Sequence, residues 1–310
     1  MDLDVVTIGG GLGGSTLASA VARSGRSVLV LEREKEFKDR VRGENMLPWG
    51  VAAARRLGVV DELVSAGGHQ VPFFNVYFMG TQTEHRPFPT TTPTGEASLN
   101  MYHPDLQETL LAGAANAGAE VMRGAHVQSI AEHEGGWKVT FGENGGTRSI
   151  TARLVVGADG RFSGMRQMGG FTVQRDPDNL RIAGTLVEGT KVPDDGVHLC
   201  LGPGFATFIA PLGNGRARVY FIYVAALGDR LVSTPPLGPK QASFLFDSIL
   251  KLPHLKQAAD FWGRQGETLG WLAPFCGASA PSRARVTSKK AWASSARVIW
   301  RYHASQRRTS

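Results

Sequence analysis

The alternation of apolar and polar positions predicts a βαβ unit at the start of the chain. Residues 3–8 form an apolar run typical of a buried strand. Residues 12–24 place small and apolar side chains on one helical stripe, and Gly25 ends the predicted helix. A second apolar run at 27–31 predicts a strand that lies centrally in a parallel sheet.

Strands become more frequent farther along the chain. Helices are predicted over 49–57 and 104–117, and alternating positions over 126–151 predict antiparallel strands. The region 182–224 is dominated by strand patterns with Gly and Pro turns, and 241–262 has a helical pattern. The sequence therefore predicts an α/β protein in which a Rossmann-like domain, with a parallel sheet and a small antiparallel sheet, is interleaved with a β-rich domain.

Composition narrows the class of protein. The 310 residues are enough for two ordinary domains, and 42% of them are hydrophobic. Cys200 and Cys276 are too few for a disulfide framework or a four-ligand zinc site, so we expect no metal and a reducing, cytoplasmic location. Apolar runs of about ten residues are shorter than the ~20 that a membrane helix needs, and the acidic start is unlike a signal peptide.

The net charge of +7 is unevenly distributed. Eight Lys and Arg residues and no acidic residue follow Pro281, whereas charges nearly balance in the rest of the chain. A basic face interleaved with aromatic residues, which nucleic-acid binding requires, is not evident. We therefore expect no nucleic-acid partner, and the sequence does not indicate an oligomeric state.

The segment from Gly9 to Gly14 matches the pattern GxGxxG between a predicted strand and a predicted helix. In that context Gly9 permits a tight turn, Gly11 lets the backbone approach a pyrophosphate, and Gly14 lets the helix pack closely on the sheet. Leu12 and Gly13 lie at the helix N-terminus, where free N–H groups and the helix dipole favour phosphate.

Glu32 ends the second predicted strand, at the distance from Gly9 that this fingerprint requires. Its carboxylate can accept hydrogen bonds from both ribose hydroxyls and would repel a 2′-phosphate. The predicted ligand is therefore FAD or NAD rather than NADP.

A second motif carries a family resemblance. The segment 154–166 begins in a strand predicted over 153–157 and contains Gly157, Asp159, Gly160, Ser163 and Arg166 in the register GADGxxSxxR. This resembles the Asp-Gly motif of the single-component FAD-dependent aromatic hydroxylases, the family of p-hydroxybenzoate hydroxylase. The resemblance implies that FAD is bound and that Asp159 and Gly160 lie near its pyrophosphate.

The same resemblance implies further site residues. Arg33 matches the arginine of a Glu-Arg pair, Arg42 lies where the family places an arginine beside FAD, and His103 opens a helix at a position that reaches toward the flavin. The FAD domain would comprise 1–75, 98–180 and 270–300, and the substrate domain 76–97 and 181–269. Candidate residues for an apolar substrate cavity are Phe208, Tyr220 and Tyr223. No catalytic residue is identified.

The implied chemistry is oxygen transfer. NADPH or NADH would reduce FAD, and O2 would form a flavin C4a-hydroperoxide that hydroxylates or epoxidises a small aromatic or unsaturated molecule. The segment Gly43-Glu44-x-x-Leu47-Pro48 also resembles one in flavin-dependent halogenases and geranylgeranyl-reductase-like enzymes. These oxidoreductases are the alternative within the same superfamily.

The family's third signature, a Gly-Asp segment after a strand, is expected after Trp300 and is not found. The residues 301–310 form an atypical basic tail instead. One hypothesis is a truncated or frameshifted product, which would leave an inactive FAD-binding remnant; the rival is a basic tail that serves a partner.

Overall fold

The structure is a computed structural model that describes residues 2–40, 43–78, 81–143, 145–174, 179–190, 192–202 and 205–224. Helices and strands are numbered in chain order. The helices are α1 (Leu12–Arg23), α2 (Pro48–Arg56), α3 (Val60–Ser65), α4 (Phe88–Thr91), α5 (His103–Asn116) and α6 (Gly164–Met168). The strands are β1 (Leu3–Ile8), β2 (Val28–Glu32), β3 (Asn45–Met46), β4 (His69–Val71), β5 (Phe73–Phe78), β6 (Thr81–Pro87), β7 (Ser98–Asn100), β8 (Glu120–Arg123), β9 (His126–His133), β10 (Gly136–Glu143), β11 (Gly146–Gly157), β12 (Leu180–Glu188), β13 (Gly196–Gly202), β14 (Phe205–Gly213) and β15 (Arg216–Val224).

The chain forms two compact units that alternate along the sequence. The first unit comprises residues 1–39, 53–68 and 103–176, and the second comprises 40–52, 69–102 and the described residues from 177 onward. The interleaved mixed α/β architecture is confirmed. The predicted domain boundaries stay a prediction, because the segment 270–300 lies outside the described residues, as does the helix predicted over 241–262.

The first unit contains a six-stranded sheet with the order β8-β2-β1-β11-β10-β9. Strands β8, β2, β1 and the second half of β11 are parallel, whereas the first half of the long strand β11 forms an antiparallel hairpin with β10. Helices α1 and α5 cover one face of this sheet, where Ala18, Leu111 and Ala114 pack on Val28 and Val30. The other face contributes Val6, Ile8 and Leu29 to a second core with Val139 and Phe141.

The central strands β1 and β2 are apolar over most of their length, as expected for strands that are covered on both faces. In β2, all five residues are buried, including Glu32 at its end. The burial of every residue of β2 explains why the sequence at 27–31 is almost continuously apolar. The sheet brings the carboxyl ends of β1, β2 and β11 to one edge.

The second unit contains a six-stranded sheet with the order β12-β15-β14-β13-β5-β6 and a three-stranded sheet with the order β3-β7-β4. The pairing in the larger sheet is antiparallel except between β13 and β5. In the part of the chain that the structure describes, no helix has the length and apolar character that crossing a membrane requires.

Candidate functional site

Residues 9–14 form a turn that joins β1 to α1. Gly9 has a φ angle of +100°, and a Cβ atom there would lie 2.5 Å from the carbonyl oxygen of Ala158. A Cβ atom on Gly14 would collide with the carbonyl oxygen of Gly9. Because only glycine tolerates these restrictions, the two residues let α1 begin directly against the end of β1. This is the local geometry that a dinucleotide-binding turn requires.

The middle of the same turn is open. The nearest described atom to a Cβ added at Gly11 would be Nε2 of Gln107, at 3.9 Å, and a Cβ at Gly13 would meet no described atom within 4 Å. Gly11 is the N-cap of α1; no side chain in the described chain caps this helix, and its first turn holds no acidic residue. The N–H groups of Leu12 and Gly13 therefore face a space that an anion can fill.

Glu32 directs its carboxylate toward the glycine turn. Oε2 accepts a hydrogen bond from the Gly10 N–H at 2.6 Å, and Oε1 accepts one from the Glu34 N–H at 2.7 Å. Only 7% of the residue is exposed. Each carboxylate oxygen has about two acceptor sites, so both oxygens retain capacity for a ribose hydroxyl. The carboxylate also fixes the backbone of the turn, a role that the sequence analysis did not identify.

The Asp-Gly motif lies beside the glycine turn, although the two are far apart in the sequence. Ile8 pairs with Gly157 in the parallel register of β1 and β11, and the Ala158 N–H donates to the Ile8 carbonyl at 2.7 Å. A Cβ atom on Gly9 would come within 2.9 Å of the Cα atom of Asp159. Adjacent parallel strands thus bring both motifs to one edge of the sheet, which is where ligands bind in α/β proteins.

Asp159 uses only one of its carboxylate oxygens within the described chain. Oδ2 accepts a hydrogen bond from the Met165 N–H at 3.1 Å, whereas Oδ1 is buried and has no partner among the described residues. Gly160 follows with a φ angle of +86°. Ser163 caps α6 by accepting a hydrogen bond from the Arg166 N–H at 3.0 Å. Because a buried acceptor without a donor is costly, Oδ1 is suited to a hydroxyl or amide of a ligand.

One stripe of α5 faces the glycine turn. A Cβ atom on Gly10 would lie 3.2 Å from Cδ1 of Leu111, and Gln107 is the described side chain nearest to Gly11. His103 begins the helix four residues before Gln107 and therefore belongs to the same stripe. Gln107 is not among the residues predicted from the sequence, although its spacing of four residues from His103 places it on the same helical stripe.

The two arginines predicted beside FAD have different outcomes. Arg33 is exposed, and its guanidinium lies 3.4 Å from the carboxylate of Glu34. Arg42 lies outside the described residues. Their roles toward the cofactor stay predictions.

Two of the three predicted substrate residues face each other in the second unit. Phe208 on β14 pairs with Tyr220 on β15, and their ring centroids are 6.0 Å apart. Phe208 is half-buried, whereas only 8% of Tyr220 is exposed. The Tyr220 hydroxyl lies 3.3 Å from Oε2 of Glu44. Burial, and then the negative charge of Glu44, raises the pKa of Tyr220, so the phenol stays protonated. The side chain of Tyr223 lies outside the described residues.

A buried ion pair adjoins these rings. Arg218 donates from Nε to Oε2 of Glu44 at 2.6 Å and from a terminal nitrogen to Oε1 at 2.9 Å. The side chain of Glu44 is fully buried, and that of Arg218 is 1% exposed. The Arg218 guanidinium also lies 5.8 Å from the ring centroid of Tyr102. From the sequence, Glu44 is noted only within a motif, and Arg218 is not singled out, because Arg216 begins the same strand with an equal charge.

The residues of the first unit match the chemistry of an adenine dinucleotide. An uncovered helix N-terminus suits a diphosphate, and a buried carboxylate with spare acceptor capacity suits a ribose. The unused Oδ1 atom of Asp159 supplies a further acceptor at the same sheet edge. On these observations the site fits FAD.

The comparisons with known proteins agree with this chemistry. Residues 2–236 match the family described as "FAD binding domain". Squalene monooxygenase of Rattus norvegicus is 29% identical over 171 residues, which cover 54% of this chain and 30% of the relative. An uncharacterised aromatic compound monooxygenase of Bacillus subtilis is 26% identical over 224 residues, covering 72% of this chain and 44% of the relative.

A solved structure with a similar fold is p-nitrophenol 4-monooxygenase from Pseudomonas putida. It superposes with a TM-score of 0.68 at 19% identity, covering 82% of this chain and 63% of the other. At that identity the likeness concerns the fold. The chain spans less than half the length of the two curated relatives named above.

Proposed function

Because the chain belongs to the family of FAD-binding domains, we propose that it holds FAD in the first unit and supports an NADPH- or NADH-driven monooxygenase reaction. The substrate is an aromatic or otherwise unsaturated organic molecule, which is hydroxylated or epoxidised by one oxygen atom of O2. When bound, FAD supplies the electron transfer and the activation of O2.

The observation that carries the proposal is the meeting of two motifs around an open turn. The glycine turn after β1 and the Asp-Gly motif after β11 are in direct contact. Between them they offer helix N–H groups, the Glu32 carboxylate and the unpartnered oxygen of Asp159. A purely structural glycine turn would not need an uncovered N-terminus and a spare buried acceptor at the same place.

The protein's own residues have binding and orienting roles in this proposal. The N–H groups of Leu12 and Gly13 hold the diphosphate, and Glu32 orients the ribose. The amide of Gln107 and the ring of His103, on the stripe of α5 that faces the turn, contribute further contacts to the cofactor. None of these groups needs to act as a nucleophile or a general base, because the cofactor carries the redox chemistry.

The substrate class rests on the second unit and on the relatives. The described surface of β14 and β15 includes the ring of Phe208, and the hydroxyl of Tyr220 is already engaged by Glu44. The relatives are named for squalene and for an aromatic compound. Both are unsaturated, and this shared property defines the proposed substrate class.

Titration with FAD tests the cofactor directly. We expect quenching of FAD fluorescence and a structured flavin absorbance band on addition of the purified chain. The variant Gly11→Val, whose side chain would occupy the open turn, should weaken FAD binding at least about tenfold, a loss equivalent to ~1.4 kcal/mol. Gly146→Val, on the β10–β11 hairpin where the nearest described atom is 3.6 Å away, is the matched control. Equal affinities of the two variants would contradict the proposed site.

Oxygen consumption then tests the reaction. With NADPH or NADH, FAD and a panel of unsaturated compounds, we expect O2 uptake and incorporation of one 18O atom from 18O2 into product. Oxidation of the nicotinamide without uptake of O2, and with saturation of a substrate double bond, would favour a reductase of the geranylgeranyl-reductase type. Binding of FAD without turnover under any of these conditions would favour a binding module.

A further inference from the structure

We propose that Glu44 is a positioning residue: its buried ion pair with Arg218 fixes the segment Met101-Tyr102 and so sets where His103, the next residue, meets the cofactor. This inference rests on the proposed FAD site and adds a residue to it that no motif assigns. The ion pair lies entirely within the second unit, and the covalent chain carries its effect to the start of α5.

Burial of this ion pair carries a desolvation cost. Both charges have lost their water, since the side chains are 0% and 1% exposed. The short bidentate geometry compensates for that desolvation, but an apolar pair of similar size would generally serve stability equally well. A buried charge pair is therefore better explained by a requirement for a defined position, because two parallel hydrogen bonds fix distance and direction together.

What the pair fixes can be followed through hydrogen bonds. The carbonyl oxygen of Glu44 accepts a hydrogen bond from the Met101 N–H at 3.0 Å. The next residue, Asn45, donates from its side chain to Oδ1 of Asn100 at 2.6 Å, and Asn100 donates to the carbonyl of Pro211 on β14 at 2.7 Å. Residues 44–45 and 100–101 are thus joined to each other and to the large sheet.

Tyr102 links these hydrogen-bonded residues to the start of α5. Its ring lies within cation–π distance of two guanidinium groups, with centroids 5.8 Å from Arg218 and 5.7 Å from Arg216. Arg218 therefore contacts both the Glu44 carboxylate and the side chain that immediately precedes His103. Loss of the carboxylate would remove the two hydrogen bonds that orient the guanidinium beside this ring.

A double-mutant cycle on FAD affinity tests the inference. Glu44→Gln keeps the shape of the side chain and removes its charge, and His103→Ala removes the group that it is proposed to position. We expect Glu44→Gln to raise the Kd for FAD about tenfold in the wild-type background and less than about twofold in the His103→Ala background, a coupling within the range measured for interacting residues. Glu143→Gln, which removes a partly exposed ion pair with Arg148, is the control and should leave Kd unchanged in both backgrounds.

A merely structural role for Glu44 predicts a different pattern. In that case the Kd for FAD would change by the same factor in both backgrounds, or would not change at all, and either result overturns the inference. If Glu44→Gln does not fold, the variant Glu44→Leu/Arg218→Met, which removes both charges, takes its place in the same cycle.

A second readout does not depend on the cofactor. In the apo chain, Glu44→Gln should shift the ring 1H–13C signals of His103, assigned with His103→Ala, whereas Glu143→Gln should not. If the wild-type chain takes up no FAD, the proposed function fails and this spectrum alone decides the inference. Unchanged His103 signals would then overturn it, and a shift confined to Glu44→Gln would support it.

Discussion

Replacement of Glu32 by glutamine isolates the double role of this carboxylate. In the folded chain both of its oxygens act as acceptors, one for the Gly10 N–H at 2.6 Å and the other for the Glu34 N–H at 2.7 Å. A glutamine side chain has one acceptor oxygen and one donating amide group. Whichever way the amide is oriented, one of the two backbone N–H groups will face another donor.

The size of the effect follows from the burial of the site. Glu32 is only 7% exposed, so water cannot easily replace the lost acceptor. A buried donor without a partner costs about 1–3 kcal/mol, and we expect the free energy of unfolding of the apo chain to fall by that amount. FAD affinity should fall about tenfold further, because a hydrogen bond to a charged acceptor is roughly twice as strong as one to a neutral acceptor.

Urea unfolding followed by circular dichroism measures the first effect, and repetition at saturating FAD measures the second through the stabilisation that the ligand adds. Glu120→Gln, at an exposed position on β8, is the matched control. A surface change of this kind usually stays within about 0.5 kcal/mol. If Glu32→Gln unfolds at the same urea concentration as Glu120→Gln, the carboxylate does not fix the turn and the reasoning is refuted.

Three further outcomes are expected. Gly9→Ala places an L-residue at a φ angle of +100° and its Cβ atom 2.5 Å from the carbonyl oxygen of Ala158. The substitution should therefore lower the free energy of unfolding by at least ~2 kcal/mol, and a urea midpoint equal to that of the wild type would contradict this. Arg218→Met removes the bidentate partner of the buried Glu44 carboxylate and should cost about 3–5 kcal/mol, most of which Glu44→Leu in the same chain should restore; additive losses would contradict this. Burial lowers the pKa of His198 below its ordinary value of 6.5, so its contribution to stability is present above pH 6.5 and is lost as the pH falls toward the lower pKa. His198→Gln should therefore flatten the dependence of the urea midpoint on pH between about 7 and 5, and an unchanged slope would count against burial as the cause.

The parts of the site that the sequence predicts are those set by local geometry. The order strand, glycine turn, helix and acidic strand end is recognisable within about thirty residues, because the tight turn, the approach of a pyrophosphate and the close packing of the helix all require glycine within this short segment. The Asp-Gly motif could be joined to this turn only through a family resemblance. The structure supplies the physical reason, since the register of β1 and β11 places Ile8 opposite Gly157 and so brings the ends of both strands together.

The residues that the sequence did not reveal depend on contacts between distant segments. Nothing near Glu44 in the chain indicates that its carboxylate is buried. Its partner Arg218 lies in β15, far along the sequence, and the two residues meet only in the tertiary fold. Arg218 gives one weak local signal, a charge within an apolar strand, and that signal alone is equally typical of a solvent-facing position. Nothing in the sequence around Gln107 indicates a role at the site, and only its spacing of four residues from His103 places the two side chains on one face of the helix. Prediction from the sequence therefore succeeds where the backbone itself forms the site, and it fails where a side chain acquires its role from a partner that only the tertiary fold provides.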